Sequence, residues 1–180
     1  HQGCGHRAGR HPGQHAQVAP VSTVPILSIQ KLSKQFAGIP ALREANLELL
    51  PAEVHALAGE NGAGKSTSMR MITGFIPPTE GKITVGGYDM ADNPIPAKRL
   101  IGYLPENAPA YTDMTVNGFL GFAAEVRGLR GDAKKKAVNR AVEMCMLENV
   151  LYQTIDTLSK GYRHRTCLAQ SVIHDPDILI

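Results

Sequence analysis

The 180-residue sequence has few cysteines, no long apolar run and no clustered block of basic residues. Its three cysteines, at positions 4, 145 and 167, form no CxxC pair and are too few for a disulfide framework, which is typical of a reducing compartment. No apolar run approaches the roughly 18 residues that span a bilayer, and the N-terminus has no apolar signal-peptide core. Lys and Arg are scattered and the net charge is only +3, so nucleic acid is not an expected partner. We therefore expect a cytoplasmic protein that reaches a membrane only through a partner.

The composition that remains, 43% hydrophobic and 19% charged, is that of one globular domain. Residues 1–25 have almost no periodic apolar pattern and are predicted to be a disordered tail, so the domain is expected to span residues 26–180. Four histidines fit a metal-binding tract, but we favour a disordered or non-native leader because no scaffold would hold the imidazoles at ligand distances. They are His1, His6, His11 and His15. The first residue is not Met and residues 177–180 resemble the opening of a buried strand, so we expect a fragment.

Short apolar runs between Gly and Pro predict strands in the first half of the chain. They lie at residues 26–30, 45–50, 54–58, 83–85 and 101–104. Helical periodicity predicts a helix over residues 65–73, a second that begins at Thr115 and stops at Gly128, a third capped by Asp132, and a fourth over residues 160–174. Cys145 lies on the apolar stripe of the third helix, so we expect a core thiol and not a nucleophile. Strands followed by a helical insert indicate an α/β fold.

The strongest chemical signal is the sequence GENGAGKST at residues 59–67, which matches GxxxxGK[ST] between a predicted strand and a predicted helix. Glycines let successive backbone N–H groups converge on phosphate oxygens, and the helix N-terminus adds about half a positive charge. Lys65 is expected to reach the β- and γ-phosphates, Ser66 to ligate Mg²⁺ and Thr67 to bond near the α-phosphate. The alternative, a glycine turn without a ligand, does not explain three glycines in six residues.

A phosphate loop is shared by GTPases, kinases, helicases and transport ATPases, so the family depends on a second motif. Residues 158–163, LSKGYR, open the last predicted helix about 90 residues after the loop. This segment is similar to the ABC signature, usually written LSGGQ, and the chain resembles ATP-binding subunits of ABC transporters over about residues 26–180. The resemblance implies a P-loop NTPase fold with a mixed or parallel sheet, an antiparallel β-subdomain and an inserted helical subdomain at about residues 107–160.

In that family two subunits join head to tail around two ATP molecules with Mg²⁺, beside transmembrane permease subunits at the inner or plasma membrane. The resemblance implies that Ser159, through its hydroxyl, and Gly161, through its N–H, contact the γ-phosphate of the partner's ATP. The alternative is that Ser159 only caps its helix. The implied signature residues are Ser159, Lys160, Gly161 and Tyr162. The implied residues for the chain's own ATP are Phe36, Gly59, Asn61, Gly62, Ala63, Gly64, Lys65, Ser66 and Thr67.

Two weaker matches agree with the family in order and spacing. Phe36 falls where the family places an aromatic residue that stacks on adenine, a contact of about 1 kcal/mol. Residues 101–106, IGYLPE, fall at the Q-loop, and Glu106 stands in place of the usual Gln as a second Mg²⁺ ligand beside Ser66. Taken alone, Phe36 fits a core aromatic and Glu106 a solvated charge.

The resemblance is not uniform along the chain. Lys160, Tyr162 and His164 depart from the usual signature residues. The LSKGY and YLPE variants resemble export-type ATPases, whereas residues 41–57 resemble sugar-import ATPases, and a seam near residues 66–71 is a hypothesis that follows. Export is the direction we favour.

The resemblance also implies an Asp for Mg²⁺, a catalytic Glu and a switch His, all beyond Ile180, so no catalytic residue is assigned within the chain. We therefore predict negligible ATP turnover, because phosphoryl transfer depends on these groups. Two alternatives stay open: an ABC ATPase without a transport partner, and a catalytically incomplete nucleotide-binding fragment.

Overall fold

The computed structural model describes residues 24–105 and 110–180. The strands are β1 (Leu27–Phe36), β2 (Ile39–Leu49), β3 (Glu80–Val85), β4 (Tyr88–Asp89), β5 (Ile101–Gly102) and β6 (Ile178–Leu179). The helices are α1 (Lys65–Ile72), α2 (Pro94–Arg99), α3 (Val116–Val126), α4 (Gly131–Cys145) and α5 (Lys160–Val172), with 3-10 turns at Glu148–Val150 and Ile155–Thr157. The predicted tail with its four histidines lies outside the described residues, apart from residues 24 and 25.

Strands β1 to β4 form an antiparallel sheet in the order β2-β1-β3-β4. The β1–β2 hairpin turns at Ala37 and Gly38, both with positive φ (48° and 81°), which is the backbone twist that a tight hairpin needs. Leu27, Ile29 and Leu32 of β1 are buried. They form a core with β3 and α1, whose buried members include Ile83, Val85, Met71 and Ile72.

Strands β5 and β6 form a separate parallel pair, with Ile101 opposite Ile178 and Gly102 opposite Leu179. A parallel pair needs a long crossover, and helices α3 to α5 lie between these strands along the chain. The strands predicted at residues 101–104 and 177–180 are therefore present, as partners of one another. Their buried residues Ile101 and Ile178 join the core beneath the antiparallel sheet.

The strand predicted at residues 54–58 is wrong. These residues have no regular structure, and Val54 is 96% exposed. A strand is stabilised by its hydrogen-bonded neighbour. Among the described residues no backbone hydrogen bond joins 54–58 to another segment, so a short apolar run alone does not form a strand here.

Helices α3, α4 and α5 pack around a second core, separate from that of the sheet. Its buried residues are Val116, Phe119, Leu120, Ala123, Ala124, Ala137, Val138, Ala141, Val142, Cys145, Leu147, Val150, Ile155, Leu158, Ala169 and Ile173. Cys145 is thus a core thiol, as predicted, and burial raises its pKa. The prediction of a helical subdomain at about residues 107–160 stays a prediction.

The ends of these helices follow the sequence signals closely but not everywhere. Thr115 caps α3, since its hydroxyl accepts a hydrogen bond from the Gly118 N–H at 3.1 Å, and Gly128 follows the helix with φ of 88°. The predicted cap at Asp132 is wrong, because α4 begins at Gly131 with Arg130 as its N-cap. Asp132 instead lies in the first turn, where a carboxylate still favours the helix dipole. Within the described residues, no helix combines the length and apolar character needed to cross a bilayer.

Candidate nucleotide-binding site

The phosphate loop has a shape that only glycine can adopt at its key position. Gly64 is the N-cap residue of α1 and has φ of 81°. A Cβ at this position would lie 2.7 Å from the Ala41 carbonyl oxygen and 3.2 Å from Leu42 Cδ1. Gly62 also has a positive φ, of 89°. The loop therefore packs its backbone directly on β2, where a side chain has no space.

The loop and the first turn of α1 leave backbone hydrogen-bond donors without an acceptor among the described residues. Residues 59–63 are exposed. Among the described residues, the backbone N–H groups of 64–67 donate to no protein acceptor, whereas that of Ser68 bonds to the Gly64 carbonyl at 2.8 Å. Unpaired N–H groups at a helix N-terminus form an anion site together with the helix dipole. The geometry fits a phosphate group at this end of α1.

Lys65 is folded back over the loop. Its Nζ donates to the carbonyl oxygens of Gly59 at 2.5 Å and Glu60 at 2.8 Å. These carbonyls hold the ammonium group at the mouth of the loop. When a phosphate enters the loop, the Lys65 ammonium group would exchange its bonds to these carbonyl oxygens for bonds to phosphate oxygens.

The Ser66 hydroxyl is exposed and has no hydrogen-bond partner among the described residues, so it is free to ligate a cation, whereas Thr67 is half-buried. No group of three or more His, Cys, Asp or Glu side chains in the described part of the chain could hold a metal ion. Mg²⁺ accepts such a sparse protein site because it keeps water and phosphate oxygens as ligands. Glu106, the second predicted ligand, lies outside the described residues.

Phe36 lies at the end of β1 and its side chain is 49% exposed. The alternative of a core aromatic is therefore wrong. Lys34 Nζ lies 5.3 Å from the ring centroid and also donates to the Pro77 carbonyl at 2.7 Å. The ring is available to a ligand, and its stacking on adenine stays a prediction.

The signature segment opens helix α5 of the helical core. The Ser159 hydroxyl accepts a hydrogen bond from the Tyr162 N–H at 3.4 Å and caps the helix. Gly161 is exposed, and a Cβ there would meet nothing closer than the Ser159 hydroxyl at 3.9 Å. The capping role of Ser159 is therefore present, and it leaves the hydroxyl at an open helix N-terminus. Arg165 lies 5.4 Å from the Tyr162 ring centroid, which fixes that ring against α5.

The Q-loop segment begins in β5 and continues through Tyr103, whose ring packs 5.5 Å from that of Phe75. Sequence reasoning missed His174, a residue that contacts strand β5. His174 Nε2 lies 3.1 Å from the Ile101 carbonyl oxygen. The two residues are 73 positions apart, and the only sequence signal is a polar residue directly after an apolar helix face.

Comparisons with known proteins agree with this geometry. The family model described as ABC transporter matches residues 42–180. The probable multidrug ABC transporter ATP-binding protein YbhF of Escherichia coli (strain K12) is 34% identical over 154 residues, which cover 86% of this chain and 27% of that protein. The ABC transporter ATP-binding protein YxlF of Bacillus subtilis (strain 168) is 35% identical over 155 residues, which cover 86% of this chain and 51% of that protein.

A solved structure described as the ATP-binding subunit of an ABC transporter superposes with a TM-score of 0.78 and 28% identity, over 86% of this chain and 64% of that one. The P-loop ATPase fold predicted from the sequence is thereby confirmed. The chain spans about a quarter to about a half of the length of the two relatives above. Each of those matches is long enough to run across residues 66–71, so the hypothesis of a seam there gains no support from them.

Proposed function

Because the chain belongs to the ABC transporter family, we propose that it is the ATP-binding part of a transport ATPase and takes Mg-ATP at residues 59–67. One observation carries the proposal: a glycine loop packs against β2, and among the described residues the N–H groups of 64–67, at the N-terminus of α1, have no protein acceptor. An exposed anion site with a lysine at its mouth fits a polyphosphate.

Within this site each residue has a separate task. The N–H groups of 64–67 hold phosphate oxygens, Lys65 moves from the loop carbonyls onto the β- and γ-phosphates, and Thr67 binds near the α-phosphate. Ser66 holds Mg²⁺, with Glu106 as the second protein ligand; the ion neutralises charge on the phosphates. Phe36 stacks on adenine. Gly59, Asn61, Gly62 and Ala63 complete the backbone around the phosphates.

A second subunit completes the site. We propose a head-to-tail dimer in which Ser159 and Gly161 of one chain contact the γ-phosphate held by the other. The open N-terminus of α5 supports this assignment, since a helix N-terminus favours an anion. Lys160 and Tyr162 replace the usual signature residues, and their side chains are assigned to the rim of the same contact.

The complete protein is proposed to act at the cytoplasmic face of the inner or plasma membrane, bound to permease subunits. Export is the favoured direction because the LSKGY and YLPE variants resemble export-type ATPases. Negligible turnover by the chain itself stays a prediction, which a steady-state ATPase assay tests.

Equilibrium binding of a fluorescent ATP analogue with Mg²⁺ tests the proposal. Lys65→Ala is expected to weaken binding by about 1.5 to 3 kcal/mol, or roughly 10- to 150-fold, because a charged contact to phosphate is lost. Lys135→Ala is the matched control, since Lys135 is exposed on α4, away from the phosphate loop. Equal affinity of Lys65→Ala and wild type, with both proteins folded by circular dichroism, would refute the assignment.

A further inference from the structure

Helix α5 connects two segments that the proposed function treats separately. Ser159 of the signature is its N-cap, and His174 lies two residues after its last residue, Val172. The helix has 13 residues and is therefore about 20 Å long. At its far end it meets β5, the strand that leads into the Q-loop segment.

The end of α5 contacts β5 in two ways, through a close approach of the two backbones and through a side-chain hydrogen bond. A Cβ at Gly102 would lie 2.5 Å from the Ser171 carbonyl oxygen and 2.8 Å from Pro176 Cγ. The neighbouring carbonyl of Ile101 accepts from His174 Nε2 at 3.1 Å. Since the strand packs on the helix without an intervening side chain, β5 and the end of α5 have little freedom to move independently.

The electrostatic surroundings favour a neutral His174. Burial, with a contribution from Arg127, holds the pKa of His174 below its ordinary value. The Arg127 side chain is exposed, and its guanidinium donates to the Lys98 carbonyl at 3.3 Å. Asp175, the nearest carboxylate, is drawn to Arg140 at 3.0 Å. A neutral imidazole that donates from Nε2 to Ile101 leaves Nδ1 as a bare acceptor, and among the described residues the buried Nδ1 has no hydrogen-bond partner.

We propose that His174 is a positioning residue that fixes strand β5 to the end of helix α5, so that movement of the Q-loop segment is transmitted along the helix to the signature. The inference rests on the proposed function, in which these two segments act on different ATP molecules. An unpaired buried nitrogen costs stability. A positioning role explains why a histidine, and not an apolar residue, occupies this point.

The first experiment measures amide hydrogen exchange with and without the fluorescent ATP analogue and Mg²⁺. The reporting amides are those of Leu104 and Ile180, which close the β5–β6 ladder, and those of residues 160–163 behind the signature cap. The variants are His174→Phe, which keeps a ring but no donor, and His174→Gln, whose amide nitrogen reaches a position like that of Nε2. His164→Phe is the matched control, because His164 is exposed on the same helix.

In His174→Phe we expect the Leu104 and Ile180 amides to exchange about tenfold faster, as loss of one ordinary hydrogen bond predicts. Exchange at residues 160–163 should no longer respond to the nucleotide, while affinity for it changes less than about twofold. His174→Gln should restore the response and His164→Phe should resemble wild type. A wild-type response in His174→Phe, or no rescue by His174→Gln, would overturn the inference.

Failure of the proposed function would look different, because wild type itself would then bind no analogue. Amide exchange of Leu104 and Ile180 without nucleotide still tests the contact between β5 and the end of α5 in that case. Unchanged exchange in His174→Phe would refute the proposed role of His174 in that contact. If His174→Phe does not fold, comparison of His174→Gln with wild type across pH decides the question.

The direction in which stability changes with pH follows from the surroundings of His174. The charged groups around the imidazole are Arg127, which directly follows α3, Lys136 and Arg140 from α4, and Asp175 beside it. With a folded pKa below the ordinary 6.5, the unfolded chain binds the proton more readily. Stability should therefore fall as pH drops below about 6.5 toward the lowered value, and His174→Gln should remove this component. Equal pH profiles for wild type and His174→Gln in urea unfolding would exclude a neutral, buried imidazole bonded to Ile101 and would overturn the inference with it.

Discussion

The phosphate loop and the helical unit of α3 to α5 are stabilised in opposite ways. The loop is exposed over residues 59–63 and is fixed by one close backbone contact with β2. Among the described residues, the helical unit has sixteen buried apolar side chains in one core. Binding groups on the loop are backbone donors, whereas those of the helical unit lie at the end of a well-packed helix. The proposed ATP-contacting groups of the phosphate loop therefore depend on backbone conformation, whereas those of the signature depend on the packing of the helical unit.

The largest effect should come from the core of the helical unit. Leu120 on α3 is fully buried, and Leu120→Ala should lower the free energy of unfolding by about 2 to 5 kcal/mol. Phe122→Ala on the same helix is the control, since Phe122 is 41% exposed and should lose far less. Urea unfolding measures both. Affinity for the ATP analogue should stay within about twofold in the folded Leu120→Ala protein; a parallel loss of affinity would show that the two regions are not independent.

An effect of similar or smaller size is expected at the loop, where two glycines with the same φ of 81° distinguish the cost of backbone conformation from the cost of a steric contact. Gly38→Ala meets open space and should cost about 1 to 2 kcal/mol, the penalty for a left-handed alanine. Gly64→Ala should cost about 1 to 3 kcal/mol more, because its Cβ would lie against the Ala41 carbonyl. Only Gly64→Ala should abolish binding of the ATP analogue. Equal costs in thermal unfolding would mean that the contact with β2 does not shape the loop.

The smallest effect compares two helix caps. Thr115→Ala removes a 3.1 Å cap bond and should cost about 1 kcal/mol, whereas Ser159→Ala removes a 3.4 Å bond and should cost nearer 0.5 kcal/mol. Thermal unfolding checks both values. A cost at Ser159 as large as that at Thr115 would indicate that Ser159 serves mainly as a cap, which would weaken its assignment to the partner's γ-phosphate.

Most features that depend on neighbours in sequence could be predicted, whereas contacts between residues far apart in the sequence could not. The phosphate loop and the cap at Thr115 are local patterns, and the structure has both. The strand expected at residues 54–58 failed because a strand is defined by its pairing, and apolar composition says nothing about the partner. The contact of His174 with Ile101 was missed for the same reason, since 73 positions separate the two residues. Asp132 and Arg130 are only two positions apart, so composition alone does not decide which of them is the N-cap of α4.

The contact between Gly64 and the Ala41 carbonyl also bears on how the motif can be reused. The loop's curvature is set by Ala41 of β2, which lies 23 positions before Gly64, and a peptide of residues 59–67 alone would carry the glycines without this contact. Transplanting the motif into another scaffold should therefore succeed only where a backbone carbonyl stands in the place of Ala41. The nine-residue motif identifies the site in a sequence, but the smallest unit expected to keep the shape of the loop is the loop together with β2 and α1.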